Sequence, residues 1–198
     1  MLFKKNKITN TGETTVHSRE MRDNYAARIA TITGDYTWVK TKAREIDLEK
    51  EMHLAVQLDA IMRHFRETQK YVGVSSNNIF WNATETPIRQ ILIPTVERNY
   101  ITVINPIVLK MEGEDNDYVE GCGSIPGKVY VVRRKPYVSI SGYTLEKQYI
   151  ELEYGSKDYY AGGEPVYSSY SRKEWIIQHE MDHLEGITIQ DRGNIVIR

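Results

Sequence analysis

Residues 171–186 read S-R-K-E-W-I-I-Q-H-E-M-D-H-L-E-G, and they carry the signals that begin and end an α-helix. Ser171 is followed three residues later by Glu174, the capping-box pattern in which the two side chains satisfy backbone donors that the first turn leaves unpaired. Gly186 stands where a glycine commonly ends a helix. We therefore predict one helix across this stretch.

The same helix contains the pattern His179-Glu180-Met181-Asp182-His183. Residues four apart on a helix project from one face, so the two imidazoles can bind a single cation. Glu180 lies beside them and can accept a proton from water. The alternative is a pair of surface histidines on an amphipathic helix. Because the whole chain has only five histidines, we favour a metal site.

A catalytic metal site generally has three protein ligands and leaves one position for water. Cys122 is the only cysteine, and it is the natural third ligand because a thiolate binds zinc or iron(II) well. It lies in Glu120-Gly121-Cys122-Gly123-Ser124, between glycines that allow close approach of the backbone to a metal or a substrate. Taken alone, Cys122 would more often be a buried structural cysteine than a ligand.

Much of the remaining sequence alternates with the period of β-strands, and short turns between the segments favour antiparallel pairing. These segments are residues 91–94, 101–104, 128–132, 137–141 and 149–154. A second helix is predicted from Asp47, as its N-cap, to about Gln69. Residues 187–198 return to strand-like alternation. We therefore expect an α+β fold, with mostly antiparallel sheets around a central metal-binding helix.

The composition bounds the class of protein. The 198 residues contain no low-complexity linker, so we expect a single catalytic domain, with residues 1–45 as an atypical N-terminal extension. The 26 basic and 27 acidic residues give a net charge of −1, which offers no broad field to attract nucleic acid or an anionic membrane. No apolar stretch resembles a secretory signal or a membrane span. We expect a soluble, cytoplasmic protein.

These motifs together resemble those of the peptide deformylase family. Its members carry three signatures in order: G-x-G-L-A-A-x-Q, E-G-C-x-S and Q-H-E-x-D-H-L-x-G. The second is intact at residues 120–124 and the third at residues 178–186. The first is altered at residues 71–78, where Tyr71 replaces the first glycine and Asn78 the final glutamine. The resemblance covers about residues 46–192, which would form a deformylase-like core.

The resemblance implies a metal-dependent hydrolase that removes the formyl group from N-formylmethionine at the start of new polypeptides. Cys122, His179 and His183 would hold Fe²⁺, for which Zn²⁺ or Ni²⁺ can substitute. Glu180 would take a proton from water and pass it to the leaving amine. The implied partners are an N-formylmethionyl peptide, as substrate, and the ribosome.

The resemblance also implies roles for two groups near the formyl oxygen. The amide of Asn78 and the backbone N–H of Gly123 would stabilise the negative charge that develops on this oxygen. Because asparagine is one methylene shorter than the family's glutamine, the donor is expected to reach less far. Loss of one such donor costs about 10²–10³ in turnover. Beside Cys122, Glu120 is expected to pair with Arg134 or Arg133 and support the cysteine loop.

Four further residues are implied to contact the substrate. The backbone at Gly73 would pair with the peptide as an added strand. Val72, Trp175 and Ile176 would line the pocket for the methionine side chain. The competing interpretation is that Val72, Trp175 and Ile176 are simply core residues.

Two other functions remain open on the sequence. A zincin-type endopeptidase also uses H-E-x-x-H, but it needs a downstream Glu, Asp or His as third ligand, and the few residues after His183 include no histidine. A deformylase homologue with impaired catalysis could instead serve as a metal-binding or peptide-binding protein. The altered first signature motivates that alternative, and an assay of formyl-Met-Ala on metal-loaded protein distinguishes it from the enzyme.

Overall fold

The computed structural model describes residues 20, 23–24, 26–95, 99–155 and 173–196. The α-helices whose bounds are defined are α1 (Tyr36–Lys40), α2 (Met52–Gln69), α3 (Glu174–Leu184) and α4 (Ile189–Arg192), and Ser76–Asn78 form a short 3-10 helix. The strands are β1 (Arg28–Ile29), β2 (Val74–Ser75), β3 (Ile79–Phe80), β4 (Gln90–Pro94), β5 (Tyr100–Glu112), β6 (Asn116–Cys122), β7 (Ile125–Arg134), β8 (Tyr137–Tyr143), β9 (Tyr149–Gly155) and β10 (Asn194–Ile195). None of the described helices combines the length and the apolar character needed to cross a bilayer.

The strands form three sheets. The largest has the order β2-β4-β5-β8-β9, a second has the order β10-β7-β6, and β1 pairs with β3. All of these pairs are antiparallel. The expectation of an α+β fold with mostly antiparallel sheets is confirmed.

The five-stranded sheet is covered by a helix on each face. Successive side chains of a strand point to opposite faces, and neighbours in β4 and β5 accordingly belong to different core clusters. Leu92 and Ile104 pack with the apolar face of α2, whereas Ile91, Ile93 and Val103 pack with α3. From α3 this second cluster takes Ile177, Met181 and Leu184. Because both faces of β4 are buried, its sequence after Gln90 is a continuous apolar run. The packing of α3 on this run fixes the helix against the centre of the sheet.

The C-terminus of α3 is closed by a Schellman motif, as Gly186 predicted. Gly186 has φ +71°, and its N–H donates to the carbonyl of His183 while the N–H of Ile187 donates to that of Asp182, both at 2.9 Å. A Cβ at Gly186 would lie 2.2 Å from the carbonyl oxygen of Lys40. Glycine is therefore needed here both for its conformation and for the close approach of the α1 end.

The predicted N-cap of α2 was wrong. The helix begins at Met52, five residues after Asp47. The Asp47 carboxylate instead accepts hydrogen bonds from the N–H groups of Glu49 at 2.8 Å and Lys50 at 3.2 Å. Aspartate readily closes such a turn with its own downstream backbone, and this turn precedes the helix rather than starting it.

The prediction for residues 187–198 was also wrong in part. Thr188 and Asp191 form a capping box, with Asp191 Oδ2 accepting from the Thr188 N–H at 2.7 Å and from its hydroxyl at 2.8 Å. This cap starts the short helix α4, and only β10 is extended and paired. The T-x-x-D spacing is a sequence signal for a helix start, and the strand-like alternation of apolar residues obscured it. Ser171, the predicted start of α3, lies outside the described residues.

Residues 30–41 contact the loops that carry the predicted site. The N–H of Ala30 donates to the carbonyl of Asn78, and the N–H of Ile32 donates to the carbonyl of Ser124, both at 2.8 Å. Ala30 and Val39 are fully buried. This part of the predicted N-terminal extension therefore acts as a backbone strap that joins the two signature loops.

Candidate metal centre

The structure brings the three predicted ligands together from two distant elements. Cys122 ends β6, at an irregularity in the β6–β7 register, and His179 and His183 lie one turn apart on α3. Cys122 Sγ is 3.2 Å from His183 Nε2, and the latter is 3.2 Å from His179 Nε2. One donor atom from each of the three residues lies within 4.8 Å of the others. This spacing allows one cation to contact all three.

The electrostatics of the cluster also suit a cation. Burial of the Cys122 thiol would raise its pKa, but the imidazoles of His183 and His179 lower it well below the ordinary value. Burial would lower the pKa of His179, but hydrogen bonds with Cys122 and Glu120 raise it. A thiolate is thus held between imidazoles, and a divalent cation can replace the protons that the imidazoles carry.

Glu120 sets the orientation of His179. Its carboxylate is fully buried, and Oε2 lies 2.9 Å from His179 Nδ1. Arg134 donates to both Glu120 oxygens, each at 2.9 Å, and also pairs with Asp182. Burial would raise the pKa of Glu120, but its bonds with Arg134 and His179 lower it. An acceptor at Nδ1 places the proton on that nitrogen and leaves Nε2 free as a ligand.

This network was only partly visible in the sequence. Of the two predicted partners of Glu120, the structure selects Arg134, whereas Arg133 pairs with Asp117 on the exposed side of the hairpin. The contact of Glu120 with His179 was missed. Its signal is the period of two in β6, which places Glu120 and Cys122 on the same face.

Glu180 is buried beside the ligands, with 4% of its surface exposed. Its Oε2 has no hydrogen-bond partner among the described residues. Burial raises the pKa of Glu180, against the lowering effect of His179 and His183. A Cβ at Gly73 would lie 2.7 Å from Glu180 Oε1 and 2.8 Å from Cγ2 of Ile176. Gly73 therefore leaves room for a carboxylate that can accept and release a proton.

Asn78 connects the first signature loop to the cysteine loop. Its Oδ1 accepts from the N–H and the hydroxyl of Ser75, both at 2.9 Å, and its Nδ2 donates to Ser124 Oγ at 3.1 Å. The amide nitrogen carries two hydrogens, so Ser124 uses one donor and the other remains. Asn78 is thus anchored by neighbours on both loops.

One cavity is lined by all of the predicted substrate residues and by most of the metal cluster. Its lining comprises Tyr71, Val72, Gly73, Asn78, Gly121, Cys122, Gly123, Trp175, Ile176, His179 and Glu180. Val72 is 51% exposed, whereas Ile176 is 6% exposed, so Val72 lies at the rim and Ile176 in the wall. Trp175 stacks on Tyr118, with the ring centroids 6.4 Å apart.

Tyr71 is the lining residue that the sequence identified only as a departure from the first signature. Burial and the nearby charge of Cys122 raise the pKa of its phenol. A Cβ at Gly123 would lie 2.5 Å from the Tyr71 hydroxyl oxygen. The ring therefore reaches from the first signature loop to the cysteine loop.

Comparisons with known proteins agree with this geometry. The family described as "Polypeptide deformylase" matches residues 28–196. A peptide deformylase of Dictyoglomus turgidum is 32% identical over 156 residues, covering 78% of this chain and 86% of that one. One of Desulforudis audaxviator is 31% identical over 110 residues, covering 56% of this chain and 62% of that one. The crystal structure of peptide deformylase from Thermotoga maritima shares the fold, with a TM-score of 0.65 at 21% identity and coverage of 86% and 97%. The chain belongs to the polypeptide deformylase family.

Proposed function

We propose that this chain is a peptide deformylase, a metal-dependent hydrolase that removes the formyl group from the N-formylmethionine of nascent polypeptides. The observation that carries the proposal is the cluster of Cys122, His179 and His183, beside a cavity that Glu180 also lines, in a member of this family. The alternative of an impaired homologue that only binds metal or peptide is not favoured by the comparisons, in which the matching relatives are named as enzymes.

We assign Cys122, His179 and His183 as the ligands of the metal. One thiolate and two imidazoles within 4.8 Å form a donor set that suits Fe²⁺, Zn²⁺ and Ni²⁺. The resemblance favours Fe²⁺ as the natural ion, and Zn²⁺ or Ni²⁺ as substitutes. When bound, such an ion supplies Lewis acidity and activates water near neutral pH. Glu120 supports this role by holding His179 with Nε2 towards the cluster.

Glu180 is assigned as the general base and then the general acid. It accepts a proton from the water that attacks the formyl carbon, and it returns that proton to the amine nitrogen as the C–N bond breaks. The products are formate and a free amino terminus. The burial of the carboxylate and its raised pKa support this role, because a group whose pKa is closer to neutrality can both take and give a proton.

The remaining lining residues are assigned to the substrate. The Asn78 amide and the Gly123 N–H would donate to the formyl oxygen. The Gly73 backbone, on the loop before β2, would pair with the peptide, since an extended segment can add to an exposed edge. Val72, Trp175 and Ile176 would contact the methionine side chain; their place in the lining of the same cavity supports this assignment.

The experiment is an assay of formate release from formyl-Met-Ala. Protein purified without oxygen and loaded with Fe²⁺ or Ni²⁺ is expected to turn over, because oxidation of the thiolate is avoided. Glu180→Gln should retain the metal and lose turnover, whereas Glu49→Gln, at an exposed pair with Lys147, should be unchanged. Cys122→Ala should lose stoichiometric metal. Turnover no higher than that of metal-free protein would favour the binding protein instead.

We further propose that residues 1–198 act as one catalytic domain in the cytoplasm, where the ribosome would present the substrate. The hydrogen bonds from Ala30 and Ile32 to the two signature loops support including the N-terminal segment in that domain. The substrate itself supports the location, since formylated chains emerge from the ribosome. Deletion of residues 1–35 is expected to lower both activity and thermal stability. Full activity of the truncated protein would show that this segment is not part of the catalytic domain.

A further inference from the structure

The ring of Tyr71 and the missing side chain of Gly123 are complementary in size. A Cβ at Gly123 would lie 2.5 Å from the Tyr71 hydroxyl oxygen and 2.7 Å from its Cζ, far inside van der Waals contact. Gly123 is not among the described glycines with positive φ, so its backbone does not itself require glycine. Glycine is therefore needed at position 123 because a side chain would collide with Tyr71, and the end of the Tyr71 ring fills the space that a side chain would take.

The position of this phenol is chemically significant. Tyr71 lines the same cavity as Cys122 and Glu180, and its hydroxyl lies against Gly123, whose N–H is the proposed donor to the formyl oxygen. Among the described residues, none forms a hydrogen bond with the Tyr71 hydroxyl. The cavity thus contains an O–H donor that the described part of the fold does not use.

The reaction has need of such a donor. The Asn78 amide is one methylene shorter than glutamine, its oxygen is held by Ser75, and one of its two N–H groups is held by Ser124. The anchoring limits how far the remaining N–H can move towards a substrate. A tyrosine hydroxyl is among the groups that stabilise an oxyanion when they are held rigidly in place.

We propose that Tyr71 is a further catalytic residue, whose hydroxyl donates a hydrogen bond to the formyl oxygen beside the Gly123 N–H as negative charge develops there. The hydroxyl keeps its proton throughout, and no covalent bond to Tyr71 forms. The role rests on the proposed deformylase function. It adds a second side-chain donor to that of Asn78, whose movement is limited by its bonds to Ser75 and Ser124.

The test is Tyr71→Phe, which keeps the ring over Gly123 and removes only the hydroxyl. We expect kcat for formyl-Met-Ala to fall about 10²-fold or more, with KM, metal content and Tm unchanged. Tyr149→Phe is the matched control, because Tyr149 is exposed and its hydroxyl contacts Glu151 away from the cavity. This variant should behave as the wild type.

A second readout does not depend on turnover. A methionine-derived peptide hydroxamate places a carbonyl oxygen where the formyl oxygen would lie, and its Kd for metal-loaded protein is measured by calorimetry. Tyr71→Phe should raise that Kd at least tenfold, because the carbonyl loses one donor. If the wild-type protein released no formate, the proposed function would be wrong. The hydroxamate Kd would still show whether the Tyr71 hydroxyl donates to a carbonyl oxygen bound in the cavity.

Two results would overturn the proposal. The first is an unchanged kcat and hydroxamate Kd in Tyr71→Phe, which would reduce Tyr71 to a residue that fills space. The second is a loss of activity accompanied by loss of metal or by a lower Tm, which would make the effect of the hydroxyl structural.

Discussion

Replacing Glu120 by glutamine removes one charge from a buried ionic cluster while it keeps the shape of the side chain. Glu120 Oε1 accepts from Arg134 Nε, and Oε2 accepts from Arg134 Nη2 and His179 Nδ1, all at 2.9 Å. A glutamine has an NH₂ group in place of one oxygen. In either orientation of the amide, its NH₂ group faces an N–H of Arg134 or His179. Two donors then meet where a hydrogen bond was, and the contact is unfavourable.

The size of the effect follows from this geometry. Removing one partner of a buried ion pair costs about 3–5 kcal/mol in unfolding free energy. Asp182 still pairs with Arg134 in the variant, so we expect a loss of about 3 kcal/mol. The variant also loses the acceptor that holds the proton on His179 Nδ1. Loss of such support lowers metal affinity about 10–100-fold.

Both quantities are measured on reduced protein. Urea unfolding in the presence of a chelator gives the unfolding free energy, and competition with a chelator of known affinity gives the Kd for Zn²⁺. Asp117→Asn is the matched control on the same hairpin. Asp117 lies 3.7 Å from Arg133, and both side chains are at least 70% exposed, so its loss should cost at most about 1 kcal/mol.

The reasoning is refuted if Glu120→Gln unfolds within about 1 kcal/mol of the wild type and binds Zn²⁺ equally well. That result would mean that Arg134 and His179 find other partners without cost. If Glu120→Gln lost stability but kept its affinity for Zn²⁺, the ion-pair argument would stand. Only the claim that Glu120 prepares His179 for metal binding would be refuted.

Three other substitutions have defined outcomes. Asn78→Ala removes the tie between the cavity loops and a donor to the formyl oxygen, so formate release should fall about 10²–10³-fold and urea unfolding should show a loss of about 1–3 kcal/mol. Gly186 has φ +71°, and the Cβ of an alanine there would lie 2.2 Å from the Lys40 carbonyl oxygen. Gly186→Ala should therefore lower the free energy of unfolding by more than the ~1–3 kcal/mol of backbone strain alone, as measured by urea unfolding. For Asp191, burial raises the pKa, but bonds with Lys40 and Thr188 lower it overall. The stability advantage of the wild type over Asp191→Asn should therefore be complete above the unfolded pKa of about 3.9 and disappear as pH falls through the lower folded pKa in thermal melts.

Each of these outcomes has a contrary result. Full turnover in Asn78→Ala would show that the Asn78 amide takes no part in the reaction. Gly127→Ala is the control for Gly186→Ala, since Gly127 has φ +75° but a Cβ there would meet nothing within 4 Å. Equal losses in the two variants would show that the Lys40 carbonyl yields without cost. A stability difference between Asp191→Asn and the wild type that persists below the folded pKa would not come from ionisation of Asp191.

Local signals made several features predictable from the sequence. The spacing of His179 and His183 is a property of any helix, because residues four apart share a face. Gly186 ended α3 as expected, since few other residues adopt a positive φ. Short segments rich in β-branched and aromatic residues identified four of the five strands of the large sheet, and the two-residue strand β2 was missed. The prediction of Asp47 as the N-cap of α2 was wrong because an aspartate carboxylate can close a turn as well as cap a helix. Only the packing of the following residues selects between the two.

The sequence by itself determined the chemistry of the site: a thiol, two imidazoles one helical turn apart, and a carboxylate between them. Only the tertiary structure decided how these groups meet. Cys122 and His183 are 61 residues apart along the chain and 3.2 Å apart in space. The Glu120 contact with His179 and the fit of Tyr71 over Gly123 also join residues that are distant in sequence. Such contacts depend on strand register and on the packing of α3 against the sheet, which no local pattern encodes.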